Sequence, residues 1–188
     1  MREALILRVH SLIPRSYANG PGCRAVIWTQ GCGIGCPGCF NPEAQRSDGG
    51  EVVPVPLLAA WLRSVGGVEG VTLTGGEPLE QQEAVFELLR EIRAMGTLSV
   101  VLFTGYPWNR IARTPLFPKL AALTDVVVAG PYRRDQPMGR GLRGSSNQTI
   151  HLMSRRYSWE DVDEVPELEV VLDNHGAVVS GVIDADLS

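Results

Sequence analysis

Three cysteines within eight residues constrain this chain more than any other feature of its sequence. Cys32, Cys36 and Cys39 lie on a glycine-rich loop that directly follows an apolar, strand-like run ending at Gln30. Glycines and a proline between them let the backbone curl closely round a bound group, and thiolates are the ligands that iron–sulfur clusters take. The spacing predicts a 4Fe-4S cluster on these three cysteines, with one iron left open.

A structural zinc site is the alternative interpretation of the cysteines. It would need Cys23 or a histidine as its fourth ligand, and the Cys-x3-Cys-x2-Cys spacing lacks the paired Cys-x2-Cys motifs common in such sites. Disulfides are rare in a reducing cytoplasm. Cys23 precedes the strand, and we expect it to pack as a small buried hydrophobe.

Short apolar runs alternate with amphipathic helical patterns along most of the chain. We predict strands at 25–30, 71–74, 99–103 and 126–129, and helices at 56–65, 80–95 and 115–123. Strands separated by helices form parallel sheets through crossover connections. The pattern therefore predicts an α/β fold, and a loop after a strand is where such folds place their sites.

The last third of the chain has a different character. Residues 130–147 are rich in arginine and glycine and are predicted to form a long functional loop. Residues 167–172 and 177–183 flank a turn-rich tetrapeptide, so we predict a C-terminal antiparallel hairpin. The length fits a single domain, 1–188, with a core at about 4–153 and a C-terminal extension at about 154–188.

Charge and hydropathy argue against two classes of partner. Lys and Arg number 17 against 21 Asp and Glu, which gives a net charge of −4 and no broad attraction for nucleic acid. No apolar run approaches the roughly 20 residues of a membrane helix, and the first ten residues lack the layout of a signal peptide. We therefore expect a cytoplasmic protein that binds neither nucleic acid nor membrane.

Two further segments end predicted strands and are candidate parts of a site. Residues 75–78 read Gly-Gly-Glu-Pro, where glycines would admit a ligand to the main chain and Glu77 would offer an anionic contact for an ammonium group. Residues 103–106 read Phe-Thr-Gly-Tyr and end the next strand in the equivalent position, where they could meet a nucleoside. The alternatives are a plain strand-to-helix turn and an ordinary loop.

The arginine-rich loop collects side chains that could bind an anion, a carboxylate or the backbone of a partner. A solvated basic loop is the other interpretation. The side chains concerned are Arg140, Arg143, Ser145, Ser146 and Asn147.

Taken together, these motifs resemble the activating enzymes of glycyl radical enzymes, within the radical S-adenosylmethionine superfamily, and most closely those of anaerobic ribonucleotide reductases. The resemblance runs through most of the chain. It is carried by residues 19–24, 31–41, 75–78, 103–106 and 143–148.

The resemblance implies an incomplete (β/α) barrel with S-adenosylmethionine bound across the C-terminal ends of its strands. It also assigns the site residues. The cluster would be held by Cys32, Cys36 and Cys39, the methionine moiety by Gly75, Gly76 and Glu77, with Phe40 beside the cluster or the adenine, and Thr104 and Asn147 as further cofactor contacts.

The implied function is reductive cleavage of S-adenosylmethionine at one 4Fe-4S cluster, followed by hydrogen abstraction from a glycine of a partner glycyl radical enzyme. A flavodoxin- or ferredoxin-like protein would supply the electron. Two residues depart from the pattern of the ribonucleotide reductase activases. Ala129 stands where they typically carry an acidic residue, and Pro107 follows the segment 103–106. The alternatives are radical modification of a peptide or small metabolite, and a non-catalytic iron–sulfur or zinc binding module.

Overall fold

Eleven β-strands and five α-helices make up the part of the chain that the computed structural model describes, residues 4–173 and 176–182. The strands are β1 (Ile6–Ser16), β2 (Arg24–Thr29), β3 (Glu51–Pro54), β4 (Gly70–Gly75), β5 (Ser99–Thr104), β6 (Val126–Ala129), β7 (Pro137–Arg140), β8 (Arg143–Ser145), β9 (Thr149–Leu152), β10 (Leu168–Asp173) and β11 (Gly176–Gly181). The helices are α1 (Val55–Ser64), α2 (Gln82–Ala94), α3 (Trp108–Ile111), α4 (Phe117–Leu123) and α5 (Trp159–Asp163). None of these helices has the length and apolar character needed to cross a bilayer.

Seven strands form the central sheet, in the order β3-β1-β2-β4-β5-β6-β9. The middle strands β2, β4, β5 and β6 run parallel to one another. The outer strands β1, β3 and β9 are antiparallel to theirs. The predicted α/β fold with a mostly parallel sheet is therefore confirmed. Two smaller two-stranded sheets, β7–β8 and β10–β11, lie outside it.

Both faces of the parallel strands are buried, which explains why their sequences are continuously apolar. On one face, strand residues such as Ile27 pack with helix residues such as Leu88. On the opposite face, Val101 and Val128 pack with Leu142, which comes from the loop after β7. The carboxyl ends of these strands are thereby held at fixed positions along one edge of the sheet.

Arg24, the first residue of β2, is fully buried at the opposite, amino edge of the parallel strands. Its guanidinium donates to Thr72 Oγ1 at 2.8 Å, to the Val71 carbonyl oxygen at 2.8 Å and to the Pro21 carbonyl oxygen at 3.0 Å. Gly20 leaves room for this side chain, because a Cβ there would lie 2.6 Å from Arg24 Cδ. The motif at residues 19–24 is thus accounted for by burial of an arginine whose hydrogen bonds are satisfied.

Several predicted elements begin or end elsewhere. The helix predicted at 80–95 is a 3-10 turn, Pro78–Gln81, followed by α2, because the Glu77 carboxylate accepts the Leu79 N–H at 2.9 Å and caps that turn. The other predicted strands and helices agree with β2, β4, β5, β6, α1 and α4 to within two residues at each end. The start of the chain forms a further strand, β1.

The interpretation of residues 130–147 as a long loop is wrong in part, because they include the short strands β7 and β8. The edge strands β3 and β9 were not predicted, since four residues carry too little periodicity. Helix α5 begins at a capping box between Ser158 and Asp161, a signal that the sequence does contain. Strands β10 and β11 pair antiparallel, and residues 174 and 175 of the predicted turn lie outside the described residues.

Candidate active site

The carboxyl ends of the four parallel strands open into one cleft. The strands β2, β4, β5 and β6 are each followed within three residues by a residue that lines it. Eight of the nine residues predicted for the site lie in its wall: Cys32, Cys36, Cys39, Phe40, Gly75, Gly76, Glu77 and Thr104. The ninth, Asn147, does not line the cleft.

The cysteine loop is held against adjacent segments of the protein by main-chain hydrogen bonds. Its first residues pair with the 3-10 turn Pro42–Gln45: the Gly31 N–H donates to the Ala44 carbonyl oxygen at 2.8 Å, and the Cys32 N–H to the Gln45 carbonyl oxygen at 3.1 Å. Cys39 closes the loop, because its N–H donates to the Cys36 carbonyl oxygen at 3.2 Å. The three thiols are thus carried by a closed turn.

Glu80 also anchors the cysteine loop. Both of its carboxylate oxygens accept the Gly33 N–H at 3.0 Å, and Tyr106 Oη donates to Oε1 at 3.3 Å. A Cβ on Gly33 would lie 2.9 Å from Glu80 Oε1, so the glycine permits this close approach. Glu80 was not among the predicted site residues, although its place three residues after Glu77 could have indicated a role.

The cysteine thiols are half-buried, and burial is the main influence on two of them. It raises the pKa of Cys32, against the lowering effect of the Gly35 and Ile34 N–H groups. It also raises the pKa of Cys36, where the Tyr132 backbone acts in the opposite direction. Cluster iron binds thiolates, so loading the site displaces the thiol protons.

The donor set suits a 4Fe-4S cluster with an open iron. All three sulfurs in the cleft are thiols, the ligand type of such clusters. The fourth cysteine of the chain, Cys23, precedes β2, whose six residues span about 20 Å. Cys23 is buried, as predicted, at the far edge of the sheet. Among residues 4–173 and 176–182, no three Cys, His, Asp or Glu side chains converge on the position of one metal ion.

Gly75 and Gly76 are glycines because the end of β2 lies against them. The Gly76 N–H donates to the Thr29 carbonyl oxygen at 2.7 Å, and the Glu77 N–H to the Gly31 carbonyl oxygen at 2.8 Å. A Cβ on Gly76 would lie 2.2 Å from the Gly31 carbonyl oxygen, and one on Gly75, where φ is 102°, would lie 2.6 Å from the Thr29 backbone. At Gly75 and Gly76, backbone atoms and no side chains therefore line the cleft beside the cysteine loop.

The Glu77 carboxylate is fully buried and accepts three hydrogen bonds from the chain itself. Oε1 accepts from the Leu79 N–H at 2.9 Å and from Thr104 Oγ1 at 2.8 Å, and Oε2 accepts from the Gly105 N–H at 2.7 Å. Burial raises its pKa to about 7, against the lowering effect of these donors. The side chain therefore ties the end of β4 to the end of β5.

Phe40 follows the last cysteine and contacts Tyr132, with ring centroids 4.4 Å apart. Both rings line the cleft and pack over Gly144. A Cβ on Gly144 would lie 2.6 Å from Phe40 Cε2 and 3.2 Å from Tyr132 Cδ2. The aromatic pair therefore depends on a residue without a side chain at position 144.

Asn147 and Gln148 shape the wall after β6. Asn147 Nδ2 donates to the Pro131 carbonyl oxygen at 2.8 Å, whereas Gln148 lines the cleft and donates from Nε2 to the Gly130 carbonyl oxygen at 3.1 Å. Gln148 Oε1 accepts the Gly144 N–H at 2.9 Å. The structure thus brings Gln148 into the cleft wall, where the sequence had suggested its neighbour.

Two of the other predicted donors of this region are engaged within the protein. Ser145 is buried, and its hydroxyl oxygen accepts the Arg133 N–H at 3.0 Å. Arg140 pairs with Asp163 at 2.6 Å on the surface. Within the segment 143–148, only Gly144 and Gln148 line the cleft. Sequence analysis also missed Trp28 and Tyr132, which line it and belong to no motif recognised in the sequence.

Comparison with known proteins identifies the family of this chain. Residues 18–151 match the family described as 4Fe-4S single cluster domain. The chain is 31% identical over 160 residues to the anaerobic ribonucleoside-triphosphate reductase-activating protein of Enterobacteria phage T4, which covers 82% of this chain and 94% of the relative. This chain belongs to the radical S-adenosylmethionine activating enzymes.

Two further relatives of this activating enzyme show the same relationship. The anaerobic ribonucleoside-triphosphate reductase-activating protein of Escherichia coli K12 is 28% identical over 153 residues, 77% of this chain and 98% of the relative. The pyruvate formate-lyase-activating enzyme of Clostridium pasteurianum is 31% identical over 149 residues, 73% of this chain and 59% of that longer protein. The cofactors of the activating enzyme are a 4Fe-4S cluster and S-adenosylmethionine.

Proposed function

We propose that this activating enzyme generates a glycyl radical in a partner protein, and that the partner is an anaerobic ribonucleotide reductase. The observation that carries the proposal is the cleft itself, whose wall contains all three cysteines together with Gly75 and Gly76. Near full-length similarity to reductase-activating proteins supports the choice of partner.

The proposal assigns a role to each part of the cleft. Cys32, Cys36 and Cys39 would hold the cluster, and a set of three thiolates for four irons would leave one iron available to S-adenosylmethionine. The bound cluster would supply the electron for reductive cleavage of S-adenosylmethionine.

The remaining residues position the cofactor. Main-chain groups of Gly75 and Gly76 contact the methionine moiety, because no side chain separates them from the cysteine loop. The Glu77 carboxylate has its hydrogen bonds within the protein, so it acts by fixing that main chain and the β5 end with Thr104. Phe40 would pack beside the cluster or the adenine, and Asn147 would act through the Pro131 carbonyl oxygen, to which its side chain donates.

The architecture proposed with this function is one domain, 1–188, whose sheet is an incomplete (β/α) barrel with a C-terminal hairpin extension. The sheet does not close into a ring, because it ends at the edge strands β3 and β9. An open side suits a protein substrate, which itself covers the cleft. A flavodoxin- or ferredoxin-like reductant and a cytoplasmic location belong to the same proposal, because free thiols and a reduced cluster need a reducing compartment.

The test is an anaerobic assay of the reconstituted chain with dithionite and S-adenosylmethionine, with and without the ribonucleotide reductase of the same genome. We expect 5'-deoxyadenosine by chromatography, and a glycyl radical signal by electron paramagnetic resonance when the reductase is present. Cys23→Ala is the matched control and keeps both products, whereas Cys36→Ala loses both.

Two results would count against the proposal in different ways. If 5'-deoxyadenosine forms but no glycyl radical appears in the reductase, the proposed partner is wrong, and the result favours a peptide or metabolite as the substrate. If the wild-type chain holds its cluster but forms no 5'-deoxyadenosine, the activating function itself fails.

A further inference from the structure

The C-terminal sheet, β10–β11, lies outside the family match, which ends at residue 151. It is nevertheless attached to the core by two polar contacts, one of them buried. Asn19 Nδ2 donates to Ser180 Oγ at 2.6 Å, and the Tyr17 N–H donates to Glu169 Oε2 at 2.8 Å. Asn19 and Ser180 are both buried, so this attachment is part of the packed structure.

The chain bends into the cleft where β11 ends. Gly181 has a φ of 130°, and a Cβ there would lie 2.3 Å from the Glu167 carbonyl oxygen, so only glycine fits this bend. The next residue, Val182, is fixed by its N–H, which donates to the same Glu167 carbonyl oxygen at 2.7 Å. Gly181 and Val182 both line the cleft that holds the cysteines.

Val182 reaches the part of the cleft beside the cysteine loop. Its Cγ1 lies 3.3 Å from the position of a Cβ on Gly144, the same position that Phe40 Cε2 and Tyr132 Cδ2 approach to 2.6 and 3.2 Å. Phe40 follows Cys39 directly in the sequence. An aliphatic side chain from the C-terminal sheet thus joins two aromatic rings next to the ligands proposed for the cluster.

We propose that Val182 is a specificity-determining residue whose bulk limits what can reach the cluster side of the cleft. The inference rests on the proposed function, because it takes this cleft to be the one that admits cofactor and substrate. A gate formed by a valine and two aromatic rings passes a narrow chain segment, such as one around a glycine, and rejects a bulky one. The C-terminal sheet therefore gives this activating enzyme a selectivity that the matched family region does not supply.

The same sheet provides a matched control. Val179 belongs to β11 and is 51% exposed, so its substitution changes the sheet without changing the cleft. Val182→Ala and Val182→Phe widen and narrow the gate, and Val179→Ala and Val179→Phe are the corresponding controls. Circular dichroism melting of all four variants reports any loss of folding.

The measurement compares probes of two sizes. On the cluster-loaded protein, we would follow iron removal by the small chelator 2,2'-bipyridine and by the large chelator bathophenanthroline disulfonate. On the cluster-free protein, we would follow alkylation of the cleft thiols by iodoacetamide and by fluorescein maleimide. The informative quantity is the ratio of the large-probe rate to the small-probe rate, because partial unfolding speeds both rates together.

We expect the ratio to rise about threefold in Val182→Ala and to fall about threefold in Val182→Phe, the effect of changing one packing contact at a gate. The Val179 variants should keep the wild-type ratio. Equal ratios in the two Val182 variants, or equal changes in the Val179 variants, would overturn the inference. If the chain loads no cluster, the proposed function fails, and the alkylation ratio still decides whether the gate exists.

Discussion

Removing the acceptor atoms of Glu77 should destabilise the protein by an amount that the structure allows us to estimate. The fully buried carboxylate accepts from the Leu79 N–H, the Gly105 N–H and Thr104 Oγ1. A buried donor left without an acceptor costs about 1–3 kcal/mol. Glu77→Gln keeps one oxygen and turns an amide group toward the remaining donor, so we expect a loss of about 1–3 kcal/mol, and more than about 3 kcal/mol for Glu77→Ala.

The assay is urea unfolding of the cluster-free protein at about pH 5, below the raised pKa of Glu77, together with the iron content after reconstitution. Glu83→Gln is the control, because Glu83 is an exposed glutamate in the first turn of α2 and its substitution should stay within about 0.5 kcal/mol. We expect the Glu77 variants to retain less iron as well, since the carboxylate fixes the main chain that faces the cysteine loop. Equal unfolding midpoints for wild type and Glu77→Gln would refute this reasoning.

Three further predictions concern the same cleft. Gly76→Ala places a Cβ 2.2 Å from the Gly31 carbonyl oxygen, so the strand ends must separate; we expect a cost of about 1–3 kcal/mol in urea unfolding and weaker binding of S-adenosylmethionine by calorimetry. Gly144→Ala should displace Phe40 and lower the melting temperature, whereas the same temperature as wild type would show that the rings move freely. Because the pKa of Glu77 is raised from 4.5 to about 7, the folded state binds more protons than the unfolded state in this range. The stability of wild type relative to Glu77→Gln should therefore fall by up to about 3 kcal/mol as pH rises from about 4.5 through 7. A stability difference that does not change with pH would contradict this prediction.

The central sheet could be predicted from the sequence because its strands are buried on both faces. Runs such as the one at β6 are continuously apolar and are separated by amphipathic helices, which leaves few other arrangements. The edge strands β3 and β9 could not be found in the same way. Each has four residues and pairs on one side only, so their structure depends on neighbours that are distant in the sequence.

The site was predictable where chemistry requires particular residue types and not where it depends on packing. Closely spaced cysteines and the paired glycines stand out in any sequence, and eight of nine predicted residues line one cleft. The contributions of Trp28 and Val182 follow from strand register and from the bend at Gly181. The two bonds of Glu80 to Gly33 link residues 47 positions apart, which no local pattern reports.

The most direct test of the account is the electron paramagnetic resonance spectrum of the reduced, reconstituted protein before and after S-adenosylmethionine is added. An open iron on three cysteines takes the added ligand, so we predict a changed spectrum in the wild type and in Cys23→Ala. A four-iron signal that stays identical after the addition, or iron that is absent while zinc is bound, would contradict the account.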